Sequence, residues 1–213
     1  MHSTIKNLLD IKNNIKFYLE KLNINTNPKI LAVSKTFEIN KILPLIEYGH
    51  LHYGENKVQE ALEKWSDIKL KKKDLKLHLI GKLQTNKVKQ AIKIFDYIHS
   101  VDSEKLAKKI AEEEIKQGKK IKIFIQVNIG NEEQKSGVNK SSVYELYSYC
   151  KAINLNVIGL MCIPPLKKSS DIYFKEMNIL NKNLNLNELS MGMSSDYLDA
   201  IKNSATYVRI GSN

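Results

Sequence analysis

No run of eighteen apolar residues occurs in the 213-residue chain, so nothing in it reads as a membrane span. A secretory leader is missing as well, because the opening "MHSTIKNLLDIKNNIKFYLEKL" spaces its apolar residues instead of massing them. Ile5, Leu8, Leu9, Ile15, Leu19 and Leu22 fit one face of an amphipathic helix instead. Cysteine is scarce. Cys150 and Cys162 show neither metal-ligand spacing nor a disulfide framework, and they suit packing roles in a reducing cytoplasm. Linkers, low-complexity tracts and internal repeats are also lacking, so residues 1–213 read as one domain. At 42% hydrophobic and 27% charged residues, the composition is that of an ordinary globular protein.

What the chain has in excess is positive charge, +11 at neutral pH. That balance suggests a nucleic-acid partner, but most of the excess is scattered. The one dense run, "KLKKKDLK" from Lys69 to Lys76, lies between a helical pattern and a strand and reads as a solvated connection. No interleaved stripe of aromatic and basic residues supports single-strand binding, so no nucleic acid is expected. "HLH", His50 to His52, could place two imidazoles on one strand face as in some metal sites. No third ligand stands out, so packing is the expectation and no metal is assigned.

Short apolar strands alternate with longer amphipathic segments along nearly the whole chain. Strands are expected at 29–34, 50–53, 76–80, 96–100, 121–128, 155–161, 187–191 and 206–210. Helices are expected near 38–48, 56–64, 85–94, 103–117, 141–152, 169–184 and 195–203. Within 103–117, Leu106, Ile110 and Ile115 face inward, Glu112 to Glu114 point outward, Ser103 starts the helix and Gly118 stops it. Strands separated by helices pair in parallel. A closed α/β barrel of the (β/α)8 type is the natural arrangement, with a doubly wound open sheet as runner-up.

Barrel chemistry sits at the C-terminal strand ends. In "ILAVSKTF" a strand-like run ends in Ser34, Lys35 and Thr36, which packing alone does not select. Later strand ends run into "YGENKVQE", "IGKLQTNK", "QVNIGNEEQKSG", "GLMCIPP", "LSMGMSSD" and "VRIGSN". The loops after strands seven and eight, "MGMSSD" and "RIGSN", carry glycines, small hydroxyls and a helix start that favour an anion such as phosphate. Lys35 alone reads better as a lysine snorkelling from a strand end. Set against a phosphate site, its amine suits condensation with a phosphorylated aldehyde. Met161, Met191 and Met193 fit either a cofactor wall or core filling.

These motifs together, "AVSKTF", "YGENKVQEALEKW", "HLIGKLQTNK", "QVNIGNEEQKSGV", "GLMCIP", "LSMGMSSDYLDAI" and "VRIGS", resemble the pyridoxal-phosphate homeostasis protein family. The match runs in order from Ile30 to Ser212. The resemblance implies a single-domain barrel like the N-terminal half of alanine racemase, binding pyridoxal 5′-phosphate (PLP). It implies that Lys35 holds the cofactor aldehyde as a Schiff base and that Asn56 lies beside the cofactor. Ser194 would bind the phosphate with the backbone N–H groups of Gly211 and Ser212, and Arg209 would face the pyridine nitrogen. A cation there keeps that nitrogen unprotonated, which makes the ring a poorer electron sink. The implied function is buffering PLP and supplying it to PLP-requiring apoenzymes, in a cytoplasmic monomer with no residue assigned to catalysis. The alternatives are an amino-acid racemase of the alanine racemase type and a cofactor-free Schiff-base aldolase using Glu55. Racemisation in that family takes an opposing base from a second domain, and none follows "VRIGSN". Family members also continue past "RIGS" into a final helix, so an extra N-terminal helix and a missing last barrel helix are expected here.

Overall fold

The computed structural model describes residues 2–165 and 169–211. An N-terminal helix α1 (Ser3–Leu22) leads into β1 (Lys29–Val33), α2 (Ile39–Glu47), β2 (His52–Glu55), α3 (Val58–Lys71) and β3 (Lys76–Leu79). There follow α4 (Val88–Ile94), β4 (Tyr97–Val101), α5 (Glu104–Gln117), β5 (Lys122–Val127), α6 (Val143–Ala152) and β6 (Asn156–Cys162). The chain ends with α7 (Ser170–Asn183), β7 (Glu188–Met193), α8 (Tyr197–Lys202) and β8 (Tyr207–Ile210). The strands form one closed parallel barrel in sequence order. Pairing of β1 with β8, Ile30 opposite Val208 and Leu31 opposite Arg209, closes it and removes the open-sheet alternative.

Residues on alternate sides of each strand build two cores. Outward-facing strand side chains such as Ile98 meet helix residues such as Trp65, Ile92 and Phe174 and join the helices to the sheet. Inside lies a second cluster of Leu31, Tyr97, Phe124, Met161 and Tyr207. Two fully buried histidines complete that interior: His78 stacks on Tyr97 at 4.0 Å and His99 on Phe124 at 4.2 Å. Helix α1 buries Leu8, Ile11, Ile15 and Leu19 and packs against both α2 and α8. It therefore occupies the ring position between those two helices. Among the described residues no helix follows β8.

The α5 register differs from the expected one. Ser103 caps its start and Gly118 ends it in the left-handed region, as the residue types suggest. However, Ile115 is 80% exposed, whereas Glu113 and Glu114 are buried. Helical spacing places residue 114, not 115, beneath Ile110, and the carboxylate is tolerated there because both oxygens are used. Glu114 Oε1 accepts from the Ile121 N–H at 2.6 Å and Oε2 from Lys120 Nζ at 2.9 Å. Lys69 differs too. Rather than being solvated, it donates to the Ile94 carbonyl and pairs with Asp96. "HLH" lies partly before β2, and His50 Nε2 donates to the His52 carbonyl at 3.0 Å. Among the described residues no cluster of metal-ligating side chains occurs.

Glu114→Ala leaves the Ile121 N–H buried without a partner, so a loss of about 1–3 kcal/mol in urea unfolding is expected. A change below about 0.5 kcal/mol would show that the carboxylate behaves as a surface group. The buried histidines predict a pH effect of definite sign. Burial first, then neighbouring cations and imidazoles, holds His78 well below its ordinary value, and burial with the Arg209 charge does the same for His99. Unfolded histidine titrates near 6.5, so below that pH the unfolded chain binds more protons and stability falls. Each of these two residues contributes a slope of up to about 1.4 kcal/mol per pH unit. His78→Phe or His99→Phe should flatten the fall, as read by unfolding midpoints between pH 7 and 5.

Candidate functional site

At the C-terminal mouth of the barrel lies a cavity of about 940 Å³. It brings together Lys35, Asn56, Ser194, Arg209 and Gly211, five of the six residues selected from sequence. The sixth, Ser212, lies outside the described residues. The lining also includes Val33, Thr36, Ile80, Gly81, Gln126 and Met193. Of the three methionines considered for a wall, only Met193 serves; Met161 and Met191 are core.

Lys35 stands just past the end of β1 on a tight turn, closed by the Phe37 N–H on the Ser34 carbonyl at 3.2 Å. Thr36 holds φ +64°, unusual for a β-branched residue, and a strain that needs external support. Helix α3 provides it. Glu60 Oε1 accepts from the Thr36 N–H at 3.1 Å, and Lys64 Nζ donates to the Ser34 carbonyl at 2.9 Å. Glu55 Oε1 gathers three donors, Ser34 Oγ at 2.8 Å, Lys64 Nζ at 2.9 Å and Trp65 Nε1 at 2.9 Å. Fully buried in that network, Glu55 faces away from the cavity and works as the pedestal of the lysine turn. It is no acid–base partner for Lys35, and the aldolase reading loses its one candidate.

Asn56 is set by its neighbour on the next loop. A Cβ at Gly81 would collide with the Asn56 backbone, so only glycine permits the two loops to cross. Gly211 plays a similar part at the far side, where a Cβ would stand 2.8 Å from Val33 Cβ. The Gly211 N–H donates to Ser194 Oγ at 3.4 Å, so the loops after β7 and β8 meet at a hydroxyl and an amide. Helix α8 is six residues long, and its start is tied to β7 by Met193 N–H donating to Asp196 Oδ1 at 2.7 Å.

Arg209 is 5% exposed and has no carboxylate partner among the described residues. Its Nη1 donates to the carbonyl and the hydroxyl of Ser190, both at 2.9 Å, and its Nη2 to the Cys162 carbonyl at 2.9 Å. Burial pulls the guanidinium below its ordinary pKa, partly offset by Cys162 and Asp196, but an arginine stays charged. Behind it runs a chain that strand-by-strand reading does not reveal. Ser190 Oγ lies 2.8 Å from His99 Nδ1, His99 Nε2 lies 2.9 Å from His78 Nδ1, and His78 Nε2 lies 3.0 Å from His52 Nδ1. The signal for His78 and His99 was their place at every second position of "KLHLI" and "DYIHS", which puts them inside a closed barrel.

A family model described as "Alanine racemase, N-terminal domain" matches residues 7–213. The chain is 42% identical over 193 residues to the pyridoxal phosphate homeostasis protein of Aquifex aeolicus, covering 86% of this chain and 84% of that one. It is 34% identical over 218 residues to the protein of the same name from Haemophilus influenzae, covering 96% and 92%. Among solved structures, PipY of Synechococcus elongatus with PLP bound superposes with a TM-score of 0.79 at 32% identity, over 93% of this chain and 98% of that one. Alanine racemase from Clostridium difficile matches at 17% identity with a TM-score of 0.70, over 94% of this chain and 56% of that one, a likeness of fold. The shared barrel, the ordered motifs and these identities place the chain in the pyridoxal phosphate homeostasis branch of the alanine racemase N-terminal-domain family.

Proposed function

We propose that this protein binds PLP in the mouth cavity, holds it covalently through Lys35, and buffers and supplies it to PLP-requiring apoenzymes without appreciable turnover. The observation that carries the reading is the convergence of Lys35, Asn56, Ser194, Arg209 and Gly211 on one cavity. The donor set fits the group: an exposed amine for an aldehyde, a hydroxyl and an amide for a phosphate, and a buried cation for a ring nitrogen. When bound, PLP supplies an aldehyde that condenses reversibly with an amine and a ring that withdraws electrons. The bound form of PipY and the names of the curated relatives support the same assignment.

Several features favour a carrier over a racemase. Among the described lining residues the titratable groups are Lys35, Lys82, Lys135 and Arg209, all cations. No carboxylate, phenol, imidazole or thiol of the described lining stands opposite Lys35 to exchange a substrate proton. Two buried free thiols suit a reducing cytosol, and no described helix is long and apolar enough to cross a membrane. We read residues 1–213 as one unit acting as a monomer.

Incubation with PLP is expected to give a visible absorption band, and borohydride should fix the cofactor on the peptide containing Lys35. Lys35→Ala should abolish both. A folded protein that gains no band with excess PLP sinks the cofactor reading; a band with fast amino-acid racemisation sinks the carrier reading alone. Ser194→Ala should weaken PLP retention about tenfold to a hundredfold, the equivalent of one charge-assisted hydrogen bond of about 1.5–3 kcal/mol, in equilibrium dialysis.

A further inference from the structure

The chain His52–His78–His99–Ser190–Arg209 crosses the barrel interior on strands β2, β3, β4, β7 and β8. Its upper end is the guanidinium at the mouth cavity. Its lower end, His52, is half-buried and borders a second cavity of about 770 Å³ beneath the barrel, lined also by Lys12, Lys29 and His50. Ring stacking fixes the members in place, His78 on Tyr97 and His99 on Phe124.

Proton positions follow from one end. A guanidinium only donates, so Ser190 Oγ accepts from Arg209. The remaining partner of the Ser190 hydroxyl among the described residues is His99 Nδ1, which must then accept the serine proton. His99 therefore carries its proton on Nε2 and donates to His78 Nδ1. By the same step His78 donates from Nε2 to His52 Nδ1. The reverse polarity leaves the serine proton without an acceptor in a fully buried position, which native structures avoid. A proton added to His52 or His78 would set two N–H groups against each other, and one added to His99 would set an N–H against the serine O–H. Burial keeps that from happening near neutral pH: His78 and His99 are held well below their ordinary range. His52 is lowered to about 4 by burial, then by His50, Lys29, Lys76 and Lys122.

We infer that Ser190, His99, His78 and His52 are positioning residues for the mouth cavity, three neutral imidazoles locked in the Nε2–H tautomer whose aligned dipoles hold the Arg209 guanidinium without neutralising it. Every Nδ1 lone pair in the chain points toward the arginine, so the series presents its negative end to the buried cation. A carboxylate in the place of Ser190 would stabilise the cation more strongly but cancel its field at the cavity. Dipoles orient it and leave a full positive charge facing the ligand. The consequence for a cofactor ring nitrogen rests on the proposed PLP reading; the tautomer assignment does not.

The apoprotein labelled with ¹⁵N-histidine decides the matter by long-range proton–nitrogen NMR. At neutral pH, His52, His78 and His99 should each show protonated Nε2 and unprotonated Nδ1. Ser190→Ala removes the hydroxyl that sets the polarity, and His99 with His78 should lose the single tautomer. Should that variant fail to fold, Ser190→Cys, close in shape but a much weaker donor, substitutes for it, with the same change expected at His99 and His78. Protonation at Nδ1 in the wild-type protein, or tautomers unmoved in the folded variant, overturns the inference. A purely packing role predicts such immobility. Because the measurement needs no PLP, a missing visible band would count against the cofactor reading alone.

Discussion

A permanent cation with no counter-ion beside it among the described residues is the constraint around which this barrel is arranged. Placing a guanidinium out of water costs several kcal/mol unless its donors are matched. Arg209 meets that demand with two backbone carbonyls and one hydroxyl. The carbonyls come from β6 and β7, and the strand pairing is irregular where they are needed. Ser190 opposes Tyr207 while Met193 opposes Arg209, so β7 carries one residue more than β8 across that step. Such bulges recur next to active sites because they redirect groups a regular ladder would occupy. A second shift, between β4 and β5, flanks His99. Two departures from an even barrel thus sit along the one line of polar groups that crosses it.

Much of the architecture was legible because periodicity survives in each segment by itself. Every expected strand and helix exists, with boundaries moved by a few residues except at α3, which runs to Lys71 where 64 was expected. The failures share a cause. Ile115 and Glu114 differ by one position on a helix, and composition preferred the isoleucine inside. The fold instead uses the glutamate to satisfy the Ile121 N–H. Lys69 likewise belongs to a run that looks solvated, until the Asp96 carboxylate and Ile94 carbonyl from the next unit reach it. Such choices depend on partners distant in sequence, which no local window contains.

The site divides in the same way. Lys35, Asn56, Ser194 and Gly211 each follow a strand in a short, chemically unusual loop and Arg209 lies near the end of β8, so closure of the barrel brings all five to one mouth. Glu55 was ambiguous in "GEN"; its role became plain only when Ser34, Lys64 and Trp65 were seen around it. His78 and His99 gave no signal of joint action. They belong to different strands and look like ordinary interior positions, and the link to Ser190 spans 91 residues of sequence.

The two cationic ends of the cavity are built on opposite principles, and this bears on what a carrier needs. Lys35 is exposed, on a strained turn that α3 braces from behind through Glu60, Lys64 and Glu55. Arg209 is buried and held by carbonyls and the imidazole chain. On the proposed reading, the reversible attachment is made at the accessible amine, where water or an incoming amine can reach it. The electronic character of the ring is set at the inaccessible cation, which does not relax when the ligand leaves. A buried charge desolvated by the fold itself needs no reorganisation on binding, so the cavity is preorganised for its ligand. On that reading, reversible attachment at the amine and a fixed field at the guanidinium are what a protein needs to hold an aldehyde cofactor without committing it to chemistry.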